Sequence, residues 1–210
     1  LNSLTTAQVA SMETADVAAL SVTQVASLNT ASVAALSSTQ AQALTSAQVA
    51  GLTTTQIGAL ETADLSAMSS AQLAGLSVTQ IGKLSTAQVA ALTTAQLAQL
   101  EVADLVELTT QALQGLTVEQ AAALTTAQVQ ALTTAQIVAL TPAQYAEFST
   151  AQVSKLTTTQ IEALGTADIV ALTTDQAGAL TSAQIASLTT GAIAALEQED
   201  IAALTTSALQ

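Results

Sequence analysis

The stretch Leu92-Thr93-Thr94-Ala95-Gln96-Leu97-Ala98-Gln99-Leu100 (LTTAQLAQL) returns in near-copy every eight residues, and the reading of that period decides the fold. Counted from Thr5, the chain divides into 25 consecutive octads ending at Leu204 with no insertion or deletion, and a partial octad, Thr205 to Gln210, follows. Position eight is Leu except at Met12, Met68 and Phe148, and position five is always apolar, from Val9 through Tyr145 to Ile201. Position one is Thr or Ser in 19 octads, with Asn29, Gly165 and four Glu in the others. Each repeat therefore offers two apolar slots and one small hydroxyl, the signature of a repeat architecture.

An uninterrupted α-helix turns 3.6 residues per turn, so an eight-residue step rotates the apolar stripe by roughly 80° each time and smears it around the helix. One long amphipathic helix is excluded. Strict alternation is absent too, because the apolar anchors lie three apart and Ala and Gln are poor strand formers. A helix that stops and restarts remains. Thr or Ser at position one with Gln at position four, as in Thr93 and Gln96, is the capping box: the hydroxyl accepts from an N–H one turn in, and the Gln reaches back to the cap's own N–H. The preceding Leu and the position-five residue, such as Leu92 and Leu97, are placed as a hydrophobic staple in the same register. Pro142, the one proline, falls at position two, the first helical residue, where its missing N–H and fixed φ cost nothing. Gly165 is tolerable as a cap.

These signals predict an all-α solenoid or superhelix of short two-turn helices, one per octad and roughly 10 Å long, joined by tight Thr/Ser-capped corners. Helices this short are marginal alone and must stack, with positions five and eight against neighbouring coils. Ala or Gly at positions six and seven allows close approach, and Lys83, Glu107, Glu147 and Lys155 place position seven in water. Length alone suits one or two domains, but the register has no break, so residues 1–210 read as a single continuous array. The number of helices per coil does not follow from the repeat.

Composition narrows the function. Fifteen acidic residues against Lys83 and Lys155 give a net charge of −13, which argues against nucleic acid and anionic membrane surfaces as partners. Thr, Ser and Gln interrupt every apolar run, so no membrane insertion is expected despite a mean hydropathy of +0.52. Without His or Cys the usual bases, thiol nucleophiles and transition-metal ligands are missing, and no Gly-rich nucleophile turn occurs. No enzymatic activity and no cofactor are expected. The chain opens at Leu1 without a signal segment, which suggests a fragment or processed product.

A covariation inside the repeat supplies the candidate site residues. Four octads replace the hydroxyl with Glu, and each also replaces Gln with Asp: Glu13 with Asp16, Glu61 with Asp64, Glu101 with Asp104, and Glu197 with Asp200. The other position-four aspartate, Asp168, follows Gly165. One reading is a second capping solution, since carboxylates suit a helix N-terminus. The other is weak Ca²⁺ binding by the Glu/Asp pairs, although two carboxylates fall short of six to eight ligands. Position two is Thr in 15 octads, a row that could face ice or mineral but is also ordinary beside a cap. Tyr145 and Phe148 occupy core slots and read as a locally larger core.

The phrase Leu-Thr-Thr-Ala-Gln-Val/Ile-x-Ala-Leu resembles octapeptide-repeat regions of very large secreted or surface structural and adhesin-type proteins of Gram-negative bacteria. The resemblance implies an extracellular structural or adhesin-type role. The solenoid itself reads as a spacer, stalk or filament subunit, and open solenoid ends invite end-to-end self-association, with other surface proteins as further partners. The alternative is a solenoid scaffold that binds a protein, a glycan or a crystalline surface.

Overall fold

The structure, a computed structural model, describes residues 4–204. Among these it contains 25 short α-helices, from Thr6–Ala10 to Gln198–Ala203, one per octad, and no strand. The partial octad 205–210 lies outside the described residues.

The local chemistry follows the capping signals. Thr93 is extended (φ −72°, ψ 156°) and its Oγ1 accepts from the Gln96 N–H at 3.1 Å, while the Thr93 N–H donates to Gln96 Oε1 at 2.7 Å. Thr141 caps the helix Pro142–Ala146 in the same way, with Pro142 at the first helical position. The other end closes just as regularly: the Leu92 N–H donates to the Val89 carbonyl at 3.2 Å, and Leu92 itself is extended (φ −61°, ψ 142°). Position eight and the next position one thus form a two-residue extended corner. No described residue has positive φ, so these corners need no glycine. Because the corner takes two residues, the helices run four to six residues, shorter than the two full turns expected from the octad.

Contacts divide the chain into two compact units, Leu1–Gly115 and Leu116–Gln210. Inside each, a helix packs on the helix three octads before and the helix three octads after: Ser38–Ala43 on Thr62–Ala67 in the first unit, and Thr126–Ala131 on Thr150–Lys155 in the second. Three octads of eight residues therefore make one coil of 24, and the coils stack as a solenoid within each unit. Position five fills the interior, fully buried at Val33, Ile57, Leu97, Ile137 and Ile169 among others, and position eight closes it. Tyr145 and Phe148 meet edge to face at 5.7 Å and 75° in the two core slots of one octad, the larger local core that the sequence indicates.

Small residues bring the coils together. A Cβ added at Gly51, position seven, would fall 2.2 Å from Val22 Cγ1, at position two of the preceding coil; one at Gly115 would meet Thr86 at 2.5 Å. Where position seven is large it points outward: Lys83, Glu107, Glu147 and Lys155 are all exposed. No helix among the described residues is long and apolar enough to cross a membrane.

Candidate functional site

Position four is where the polar chemistry of the repeat collects. Gln fills it in most octads, and from Gln40 onward these glutamines are buried. The capping box accounts for only one end of the side chain. The other reaches across to the preceding coil: Gln56 Nε2 donates to the carbonyls of Val25 at 3.0 Å and Leu28 at 2.7 Å. In the second unit Gln160 does the same to Val129 at 3.0 Å and Leu132 at 2.6 Å. The acceptors lie 31 and 28 residues earlier, at positions five and eight four octads back. Both lie at the C-terminal end of their helix: the Val25 carbonyl also accepts from the Leu28 N–H at 3.1 Å, so the amide adds a second bond there, and it serves the Leu28 carbonyl beyond the helix end. One buried amide thus caps the start of its own helix with its oxygen and the end of a helix in the coil before with its nitrogen. The geometry also fixes which way the amide points, since only the oxygen can face the N–H and only the nitrogen the carbonyls.

Position two adds a second, lighter link. Ser46 Oγ donates to the Ala71 carbonyl at 3.2 Å and Thr86 Oγ1 to the Gln111 carbonyl at 3.1 Å, each in the next coil. Part of the hydroxyl row is therefore used inside the stack.

The acidic octads keep half of this scheme. Glu13, Glu61 and Glu101 make no side-chain bond to the helix N-terminus. The aspartates take the reach-back role: Asp168 Oδ2 accepts from the Gly165 N–H at 3.0 Å, and Asp200 Oδ2 from the Glu197 N–H at 3.3 Å. The second capping solution is thus carried by Asp rather than Glu. Asp16, in the first coil, is exposed, while Asp64, Asp104 and Asp200 are buried. Burial raises the carboxyls of Asp64, Asp104 and Asp168 above their ordinary range, with the Glu61 and Glu101 charges adding to the rise at the first two. Glu119, fully exposed, moves the other way because a backbone N–H and the Thr117 hydroxyl hold its charged form.

An aspartate has no N–H to donate, so the carbonyls facing it lose the second donor that a glutamine brings. At Asp168 one is supplied. Ile137 lies 31 residues before Asp168, where a glutamine would donate; its carbonyl already accepts from the Leu140 N–H at 3.0 Å, and the Tyr145 hydroxyl is the second donor instead. Burial first, and the Asp168 charge second, hold that phenol well above its usual range. The sequence reading of Tyr145 as core is right but incomplete, because the signal pairing it with Asp168 is visible only once three octads are known to make a coil.

Among the described residues no three His, Cys, Asp or Glu side chains gather as a metal would require. Each Glu/Asp pair stands in its own octad. One hollow of about 540 Å³ is open and lined by Gln42, Thr45, Ser46, Ser69 and Gln72 among others, with no ionisable group. A smaller one of about 230 Å³ brings Lys83 and Glu107 to one rim on the exposed position-seven row.

A family model described as the ALTTAQ repeat matches residues 1–30, 9–46, 26–54, 33–62, 57–94, 97–134, 133–166 and 161–190. No curated protein matches the chain.

Proposed function

We propose that this chain, which belongs to the ALTTAQ repeat family, is a non-enzymatic structural element: a spacer, stalk or filament subunit whose length follows the number of octads. The observation that carries this reading is the use made of position four. Where position four is a buried glutamine its polar atoms are taken up by the stack, Gln56 Oε1 and Nε2 both being bonded, so this chemistry holds coil to coil. A binding or catalytic surface would instead keep such groups free toward a ligand.

Self-association end to end is part of the proposal. Position five is covered by the coil that follows. Among the described residues, Ile193 and Ile201 are 48% and 49% exposed. Such slots fit another coil of the same repeat, here from a second copy. A setting outside a bacterial cell rests on the resemblance of the LTTAQ phrase to repeats of large surface proteins.

Sedimentation velocity over a concentration series tests the reading. Mass and frictional ratio should both grow with concentration, and Ile193→Asp with Ile201→Asp should hold the chain monomeric. A particle that stays monomeric at every concentration, or that binds a protein or glycan with one saturable stoichiometry, would replace the structural role with the scaffold reading.

A further inference from the structure

Asp64 occupies position four in the interior of the first unit. Its helix, Thr62–Ala67, packs on Ser38–Ala43 of the coil before and on Thr86–Ala91 of the coil after. The residue is 2% exposed. Its Oδ1 accepts from Ser38 Oγ at 3.0 Å, whereas Oδ2 is buried with no hydrogen-bond partner. In the octads on either side the second polar atom of this slot is an amide nitrogen that donates: Gln56 to Val25 and Leu28, and Gln72 to Ala41 and Leu44. By the same register, 31 and 28 residues back, the carbonyls that correspond to the Asp64 slot are those of Val33, which already accepts from the Leu36 N–H, and Leu36. A carboxylate opposite carbonyls has only acceptors facing acceptors; a carboxylic acid has the missing donor.

We propose that Asp64 is a proton-binding site inside the stack: once protonated, its Oδ2–H takes the part of the glutamine amide and donates to the Val33/Leu36 carbonyl pair, tightening this seam in mild acid. Because Asp is one methylene shorter than Gln, the bond forms directly or through one bridging water. No base beside it competes for the proton. The octads 37–44 and 85–92 that pack on its helix contain no ionisable residue, and neither does octad 29–36, which holds the facing carbonyls. Octad 93–100, whose Gln96 caps the far end of the Asp64 helix, contains none either. Glu61, on the same helix, is the neighbouring charge and disfavours a second negative one.

The titration agrees in direction. Burial lifts the Asp64 carboxyl above the ordinary 3.8; the Ser38 hydroxyl and the Glu61 backbone N–H pull it down by less, and the Glu61 charge adds to the rise. A carboxyl raised on folding binds its proton more tightly in the folded state. Its contribution to stability is complete below the unfolded value of 3.8 and is lost as pH rises through the folded one. This is opposite in sign to the acid denaturation of proteins whose carboxylates are held ionised.

Residue-resolved hydrogen exchange on the intact chain, from about pH 7.5 to about pH 3.5 and corrected for intrinsic rates, provides the test, with Asp64→Asn beside the natural chain. Protection in octads 37–44 and 61–68 should rise on acidification by up to about tenfold per pH unit, the limit for one proton. Asp64→Asn should flatten that dependence in these octads while the rest of the chain keeps its own. Equal pH dependence in the two proteins overturns the proposal. Should Asp64→Asn fail to fold, the carboxyl carbon of Asp64 can be titrated by NMR in the natural chain: a midpoint above 3.8 supports the site, and one at or below it overturns it.

Discussion

Octads 53–60 and 61–68 are neighbours along the chain and share backbone, core slots and corner geometry, yet they treat position four in opposite ways. Gln56 accepts from its own N-cap and donates to two carbonyls of the coil before. Asp64 accepts on one oxygen and leaves the other buried without a partner. The apolar core barely distinguishes them, since Ile57 and Leu65 are equally buried. What holds one coil to the next is therefore two layers: a uniform apolar interior, and a polar seam whose quality varies octad by octad. Position four is where the array is tuned.

Substitutions can break this comparison or sharpen it. The largest effect belongs to the layer the two octads share. Leu132→Asp places a carboxylate in a closed core slot and should cost more than about 3 kcal/mol, read as a large drop in the urea midpoint. Gln56→Ala removes both halves of one seam residue, taking the outside donor from the Leu28 carbonyl and from the Val25 carbonyl, which keeps its bond from the Leu28 N–H; a loss of about 2 kcal/mol is expected. Asp64→Gln runs the comparison in reverse, supplying the missing donor and raising stability by about 1 kcal/mol at neutral pH, read as a higher urea midpoint. A destabilised Asp64→Gln would show that the two octads differ in more than the seam. Thr93→Ala deletes a cap hydroxyl but leaves Gln96 Nε2 bonded to Leu65 and Met68, so its cost should be about 1 kcal/mol. Gln99→Ala, at the exposed position seven, should stay within about 0.5 kcal/mol. Equal losses for Thr93→Ala and Gln99→Ala would undo the register.

The local half of this design is legible in the sequence. Capping boxes, the corner at Leu-Thr, burial at positions five and eight, the exposed Lys83 and Lys155, and Pro142 at the first helical turn all depend on residues within four of one another. The non-local half is hidden by the repeat itself. In a strict octad array the residues 16, 24 and 32 positions away carry nearly the same letters, so two, three or four helices per coil fit one string equally well. Only the fold selects three. With that number unknown, the second bond of Gln56, the Ser38 to Asp64 link and the service of the Ile137 carbonyl by Tyr145 have no visible signal. The Glu/Asp covariation is visible, but its consequence is not: a position-four aspartate brings an acceptor where glutamine brings a donor to the coil before.

Three octads per coil is the claim on which the seam depends, and the absence of cysteine from the chain makes it directly measurable. Val22 and Gly51 touch across one coil step in the first unit, close enough that a Cβ on Gly51 would overlap Val22 Cγ1. Paired cysteines at these two positions should form an intramolecular disulfide rapidly under mild oxidation at high dilution. Val22→Cys with Ala43→Cys, one octad nearer, and Val22→Cys with Ala59→Cys, one octad farther, should remain reduced. Cross-linking of either control pair in place of 22 with 51 would mean two or four octads per coil, and the glutamine seam described above would not exist.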